Sequence, residues 1–148
     1  LADPRRPDVA ARLNRAVKAR EPFRPFGAAC LEEAAGEWLE LPSDRPGAAS
    51  SRELGALAYP IRTGLAPRVP AIVHRDGTVR VQTVSRERHP RFRTLIARFA
   101  DLTGIPLVLH TSFDRDEPIV ASPEDALATF ARGEIDALFL GEHLVERG

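Results

Sequence analysis

The sequence predicts an α/β fold of the α+β kind, with helices packed on a mixed β-sheet. Three observations carry that reading. Phe92, Leu95, Ile96 and Phe99 recur at i, i+3, i+4 and i+7, the spacing of one apolar helix face. The β-rich runs 69–74 and 79–85 flank Asp76-Gly77, a pair whose tolerance of positive φ suits a two-residue hairpin. Ser122-Pro123-Glu124-Asp125 joins a helix cap, a proline at the first helical position and acids set against the helix dipole. Helices interleaved with strands in this way give a mixed sheet.

Taken in order, Pro7 and Asp8 suit a first helical turn, and Val9, Leu13 and Val17 extend it as an amphipathic helix over 7–18. Pro22 and Pro25 stop it from continuing. Residues 31–40 read as a helix ending before Pro42. Residues 43–53, with Pro46, Gly47 and a serine pair, read as a loop. A short strand over 57–61 contains Pro60, which disfavours a central position. The hairpin register then sets Val73 opposite Arg80 and His74 opposite Val79. Arg80 and Gln82 share one face, and His74 lies on the other with Ile72, Val79 and Val81; a bulge at Gly77 would alter this parity. The helix over 90–103 ends at Gly104, its natural C′ residue. A short apolar strand covers 105–109. The helix begun at Ser122 carries Ala126, Leu127 and Phe130 inward and stops at Gly133. Closing strands fall at 136–140 and 143–146.

At 148 residues the chain reads as one domain, large enough to bury a core. Its 43% hydrophobic and 28% charged residues fit a globular protein. The net charge of zero gives no overall electrostatic case for nucleic acid or an anionic membrane. No apolar run nears the roughly 20 residues needed to span a bilayer, and no signal-peptide pattern is present, so a cytoplasmic address is expected. Cys30 is the lone cysteine, which rules out an intrachain disulfide or a cysteine metal cluster and suits a small buried side chain. The chain has no methionine, even at position 1, and reads as a piece of something longer.

Three clusters have chemical potential. Lys18, the single lysine beside twenty arginines, stands with Arg20 and Arg24 between a helix and two prolines. A mobile point charge beside a planar fork is a reasonable phosphate clamp. The hairpin holds His74, Asp76, Arg80 and Gln82. His110-Thr111-Ser112-Phe113-Asp114 follows directly from the strand before it, where hydroxyls and loop amides often orient a nucleotide or oxyanion. Each cluster has an ordinary counterpart: a solvated basic stretch, turn hydrogen bonds from Thr111 and Ser112, a satisfied sheet histidine. There is no Walker loop, no nucleophile elbow and no zinc spacing. The residues alone therefore reach a mixed α/β domain with a phosphate site as its candidate chemistry.

Together the clusters resemble a known pattern. Leu1-Ala2-Asp3-Pro4-Arg5, Leu13-Asn14, Val17-Lys18-Ala19-Arg20-Glu21-Pro22-Phe23-Arg24-Pro25-Phe26, His74-Arg75-Asp76-Gly77-Thr78-Val79-Arg80-Val81-Gln82-Thr83-Val84, Thr103-Gly104-Ile105-Pro106, Thr111-Ser112-Phe113 and Glu117-Pro118-Ile119-Val120 occur in this order. So do Ile135-Asp136-Ala137-Leu138 and Gly141-Glu142-His143-Leu144-Val145-Glu146. The whole set is similar to the C-terminal domain of the NodU/CmcH-type O-carbamoyltransferases. The resemblance implies a YrdC-like fold, a twisted mixed sheet with helices. It also implies use of ATP and carbamoyl phosphate to make a carbamoyl-adenylate, with Mg²⁺ accompanying the nucleotide. An N-terminal ASKHA-type domain of the same chain, holding iron or another metal, would then transfer the carbamoyl group to a hydroxyl acceptor. No metal is expected on the present segment itself.

Carried over residue by residue, the resemblance gives Lys18, Arg20 and Arg80 the phosphate charge. Thr111, Ser112, Asp114 and His74 fall to nucleotide or carbamoyl binding. The family usually has Asn-Thr-Ser-Phe-Asn, whereas both asparagines are changed here, to His110 and Asp114. The following loop is one residue short and lacks a glycine before Glu117-Pro118, and Gly27 stands where a proline is usual after Phe26. An ionised aspartate cannot donate to a phosphate and repels one. Two readings of Asp114 follow: a carboxylate for Mg²⁺, or the mark of a weakened or repurposed nucleotide-binding or regulatory domain. Nucleic-acid binding is the weakest alternative at zero net charge.

Overall fold

The computed structural model describes residues 1–21, 23–42 and 55–147. The expected loop at 43–53 and the Pro22 stop lie outside them. The described chain forms a four-stranded mixed sheet and a separate two-stranded sheet, with four α-helices. The α/β class expected from the sequence is what is observed.

The chain divides into two compact units, 1–9 with 25–111, and 10–24 with the residues from Ser112 onward. In the first, strands β1 (Gly27–Leu31), β2 (Ala58–Pro60), β3 (Thr78–Val84) and β4 (Leu107–His110) lie in the order β2-β3-β1-β4. The β1/β3 pair is parallel, and the β1/β4 and β2/β3 pairs are antiparallel. Pro60 accordingly sits on an edge strand, where its missing N–H costs the ladder least. Helix α1 (Val9–Arg12) runs into a π-helical turn, Leu13–Val17. Helix α2 (Ala35–Trp38) follows a 3₁₀ turn, and α3 (Pro90–Thr103) is the long helix.

Ile96 of α3 is fully buried against Ala29, Leu31, Val84 and Val108, with Phe92 and Phe99 packed beside them. Burying such a side chain contributes about 1.5–3 kcal/mol. The α3 helix stops at Gly104, whose φ of 70° lies in the left-handed region that glycine enters at little cost.

In the second unit, α4 (Pro123–Arg132) packs Ala126 and Phe130 on Leu138 of β5 (Ala137–Leu140), which pairs with β6 (His143–Glu146). Ser122 and Asp125 complete a reciprocal capping box at its start, with Ser122 Oγ accepting from Asp125 N at 3.1 Å and Asp125 accepting from Ser122 N at 3.2 Å. At the other end, Arg147 donates to the carbonyls of Phe130 (2.6 Å), Ala131 (3.1 Å) and Gly133, satisfying acceptors that the last turn leaves free.

Several expectations are corrected. Residues 27–31 form a central strand, so the helix expected over 31–40 is confined to two short turns after it. Residues 69–74 form no strand, and the antiparallel partner of β3 is β2, with Ala58 opposite Arg80 and Tyr59 opposite Val79. The Asp-Gly turn itself forms, closed by His74 N–H to Thr78 O at 2.8 Å and Gly77 N–H to His74 O at 3.0 Å. Val69 and Ile72 are buried from turns instead of from a strand. Leu95 and Leu127, expected inward, are 45% and 44% exposed, because each helix meets its core over a narrower stripe than the apolar pattern suggests. The strand expected from 105 begins at Leu107. The closing strands pair with each other, outside the main sheet.

Candidate functional site

Lys18 reaches its place through an irregular turn. The π-helical turn ends with its N–H on Leu13 O at 2.8 Å, and Ala19 then takes φ 47°. A left-handed alanine costs about 1–2 kcal/mol, and it reverses the chain so that Arg20 N–H returns to Asn14 O at 3.0 Å. The side chains of Lys18 and Arg20 are thus presented by a local loop back onto the helix, not by a solvated extension of it.

Lys18 is 4% exposed and fully engaged. Its Nζ donates to Ser112 O at 3.0 Å, Ser112 Oγ at 3.1 Å, Asp114 O at 2.9 Å and Asp114 Oδ1 at 2.5 Å. An ammonium has three protons, so four acceptors saturate it. Burial alone pushes the Asp114 carboxyl up. Hydrogen bonds from Lys18 and Ser112, with the charges of Lys18 and Arg20, outweigh it and hold the group below its ordinary range. Asp114 is therefore an ionised partner of Lys18.

Arg20 is oriented by Asn14, whose Oδ1 accepts from Nε at 2.6 Å while its Nδ2 donates to Arg24 O at 3.3 Å. Asn14 is 3% exposed. No site motif points to it, although an asparagine four positions before Lys18 on an amphipathic helix is a visible signal. Lys18, Arg20, Ser112 and Asp114 are thus gathered in one unit, as a cation–carboxylate cluster with a serine hydroxyl.

Arg80, His74 and Thr111 belong to the other unit. Arg80 is exposed on β3 and pairs in register with Gly27 and Ala58. His74 has both ring nitrogens occupied within the fold, Nδ1 with Thr78 Oγ1 at 3.1 Å and Nε2 with Phe26 O at 3.2 Å. A carbonyl only accepts, so Nε2 carries a proton. Thr111 is half-buried just beyond β4. Cys30 lies fully buried in β1 with its thiol pushed up to about 12, by burial first and then by Glu33, and is unsuited to nucleophilic work at neutral pH. Among the described residues no three histidine, cysteine or acidic side chains are grouped to hold a metal, and no helix is long and apolar enough to cross a membrane.

Comparison with known proteins gives a consistent match. The family model for the carbamoyltransferase C-terminus matches residues 1–147. Nodulation protein NolO of Bradyrhizobium diazoefficiens is 41% identical over 99% of this chain and 26% of its own length. Nodulation protein NolNO of Sinorhizobium fredii is 39% identical over 99% of this chain and 21% of its own. Nodulation protein U of Azorhizobium caulinodans is 42% identical over 68% of this chain and 17% of its own. The chain spans about a quarter or less of the length of these relatives.

Proposed function

Because this chain belongs to the carbamoyltransferase C-terminal family, we propose that it is the part of a longer O-carbamoyltransferase that binds ATP and carbamoyl phosphate and forms a carbamoyl-adenylate. Water, carbamoyl phosphate and ATP would give the carbamoyl-adenylate, phosphate and pyrophosphate. The carbamoyl group would then pass to a hydroxyl acceptor on the remainder of the longer chain. The observation that carries this reading is the convergence of Lys18 on Ser112 and Asp114, residues 94 and 96 positions away, in a chain matched by the family from end to end.

In this reading Lys18 and Arg20 neutralise phosphate charge, and Ser112 Oγ holds a nucleotide or carbamoyl oxygen. Within its own unit, Arg80 supplies a planar fork to phosphate, and Thr111 and His74 offer polar groups to a nucleotide or carbamoyl oxygen. Catalysis at phosphorus is mostly positioning and charge stabilisation, which these groups can supply without a covalent intermediate. Mg²⁺ would neutralise the nucleotide phosphates when bound. With no three-residue metal cluster among the described residues, it would enter on phosphate oxygens, with Asp114 as the protein carboxylate beside Lys18.

The test is calorimetry of ATP binding with Mg²⁺, with and without carbamoyl phosphate, on the wild type and Lys18→Ala. Pyrophosphate release is followed in parallel. Binding and carbamoyl-phosphate-dependent release should both be lost in the variant, and unchanged turnover would overturn the assignment. A second reading is a catalytically weakened nucleotide-binding or regulatory domain. Its support is the saturation of Lys18 by Asp114, since an incoming phosphate must displace a carboxylate already in contact. Ligand binding without pyrophosphate release, even after Asp114→Asn, would favour it.

A further inference from the structure

One row of the main sheet holds Ala58 on β2, Arg80 on β3, Gly27 on β1 and His110 on β4. Residues in register on neighbouring strands project to the same face. Arg80 and His110 therefore rise on either side of a residue with no side chain. A Cβ at position 27 would lie 3.2 Å from Arg80 Nε, 3.2 Å from Arg80 O and 3.3 Å from Nη2, so the guanidinium lies over Gly27. The same face, two residues further along each strand, carries Ala29 and Val108 into the core under α3. At the Gly27 row that cover thins to Phe92, whose ring meets His110 edge-on at 6.1 Å.

Neither polar head is committed within the fold. Among the described residues the Arg80 guanidinium makes no hydrogen bond or ion pair, and the His110 ring makes only its contact with Phe92. The contrast is His74 in the same unit, with both nitrogens tied. Burial first, with the Arg80 charge nearby, holds the His110 imidazole below its ordinary value. At neutral pH it is an uncharged ring with one N–H to donate.

We propose that Arg80 and His110 form a single oxyanion subsite floored by Gly27, in which Arg80 supplies charge and His110 one directed hydrogen bond to the same phosphoryl group. This rests on the reading of Arg80 as a phosphate arginine and extends it. His110 is the positioning residue that fixes how the phosphoryl group turns, and Gly27 is the residue that lets the guanidinium lie between the strands. The phosphoryl group is one borne by the nucleotide or by carbamoyl phosphate.

The test follows the His110 ring resonances by NMR on adding inorganic pyrophosphate, ATP or carbamoyl phosphate separately. The expected result is a saturable shift with pyrophosphate and with whichever substrate supplies the group, the two competing. His110→Phe should weaken pyrophosphate about tenfold, the worth of one hydrogen bond to a charged group. His110→Asn, which keeps a donor, should stay within about threefold. Gly27→Ala should lose affinity like His110→Phe by pushing the guanidinium aside, with the His110 signal of the free protein kept. Unshifted His110 resonances, or His110→Phe binding as tightly as the wild type, would overturn the proposal. Pyrophosphate shifting His110 without carbamoyl-adenylate formation would uphold the subsite and sink the wider reading. Adenylate formation with no His110 response would do the reverse.

Discussion

Lys18 Nζ stands 2.5 Å from Asp114 Oδ1, and the lysine is almost wholly buried while the aspartate side chain is 22% exposed. The pair joins the loop after α1 to the segment after β4, so the same contact is a tie within the second unit and the centre of the candidate site.

Lys18→Met should test the tie. It leaves Asp114 and the Ser112 groups without their cation, and losing one partner of a buried pair strands the other. Partial exposure of Asp114 moderates the cost, so a loss of about 1–3 kcal/mol is expected, read from urea unfolding. An unchanged midpoint would show that the pair contributes nothing to the fold.

Asp114→Asn should separate charge from geometry, since an amide oxygen still accepts from Lys18. Without the resident carboxylate, affinity for pyrophosphate in the absence of Mg²⁺ should rise about tenfold or more, measured by calorimetry. Affinity that stays flat or falls would mean that Asp114 does not compete with phosphate.

Acid stability follows from the same carboxylate. Its folded value is depressed below the ordinary 3.8, so the unfolded chain takes the proton first as pH falls. The contribution is complete above about 3.8 and is lost as pH drops through the folded value. Melting temperatures from about pH 5 to about pH 2 should fall more steeply for the wild type than for Asp114→Asn. Parallel curves would refute it.

Neighbouring residues on α3 should behave in opposite ways. Ile96→Ala, at a fully buried position, is expected to cost about 2–5 kcal/mol. Leu95→Ala, at an exposed one, should stay within about 0.5 kcal/mol. Denaturant midpoints for the two variants decide whether the helix sits as described.

Ser122→Ala removes the acceptor for Asp125 N–H and should destabilise by about 1 kcal/mol. The thermal midpoint checks it, and Ser122→Asp should recover most of the loss because an aspartate also caps.

The sequence was most legible where local chemistry decides the structure. The α3 span, its stop at Gly104 and the Ser122 cap are all set by residues within one or two turns. The β1 strand was missed because Gly27-Ala28-Ala29-Cys30-Leu31 is buried throughout. A strand covered on both faces shows no alternation, and small residues give weak β signals. Asp76-Gly77 marked a real turn but misled about the strand, since a turn fixes local geometry while the partner of β3 was chosen by packing some twenty residues upstream. In the site, Lys18, Arg20, Ser112 and Asp114 were named from motif and resemblance. The closure of Lys18 onto Asp114 was not legible, because 96 intervening positions hide it. Gly27 was noted only as a departure and His110 as the first residue of a cluster, and it took the strand register to make them neighbours.

The order of the main sheet also bears on how this chain is made. The β1 strand is flanked by β3 and β4, both of which follow it in the chain. The β1 strand is made before either neighbour, and β4 is complete only at His110. Until β3 is complete at Val84, five residues destined for full burial have no ladder to join, and until His110 they have only one. Closure of the sheet therefore waits for β4. A pause or truncation before residue 107 would leave β1 paired on one side only, an apolar edge open to the wrong chain.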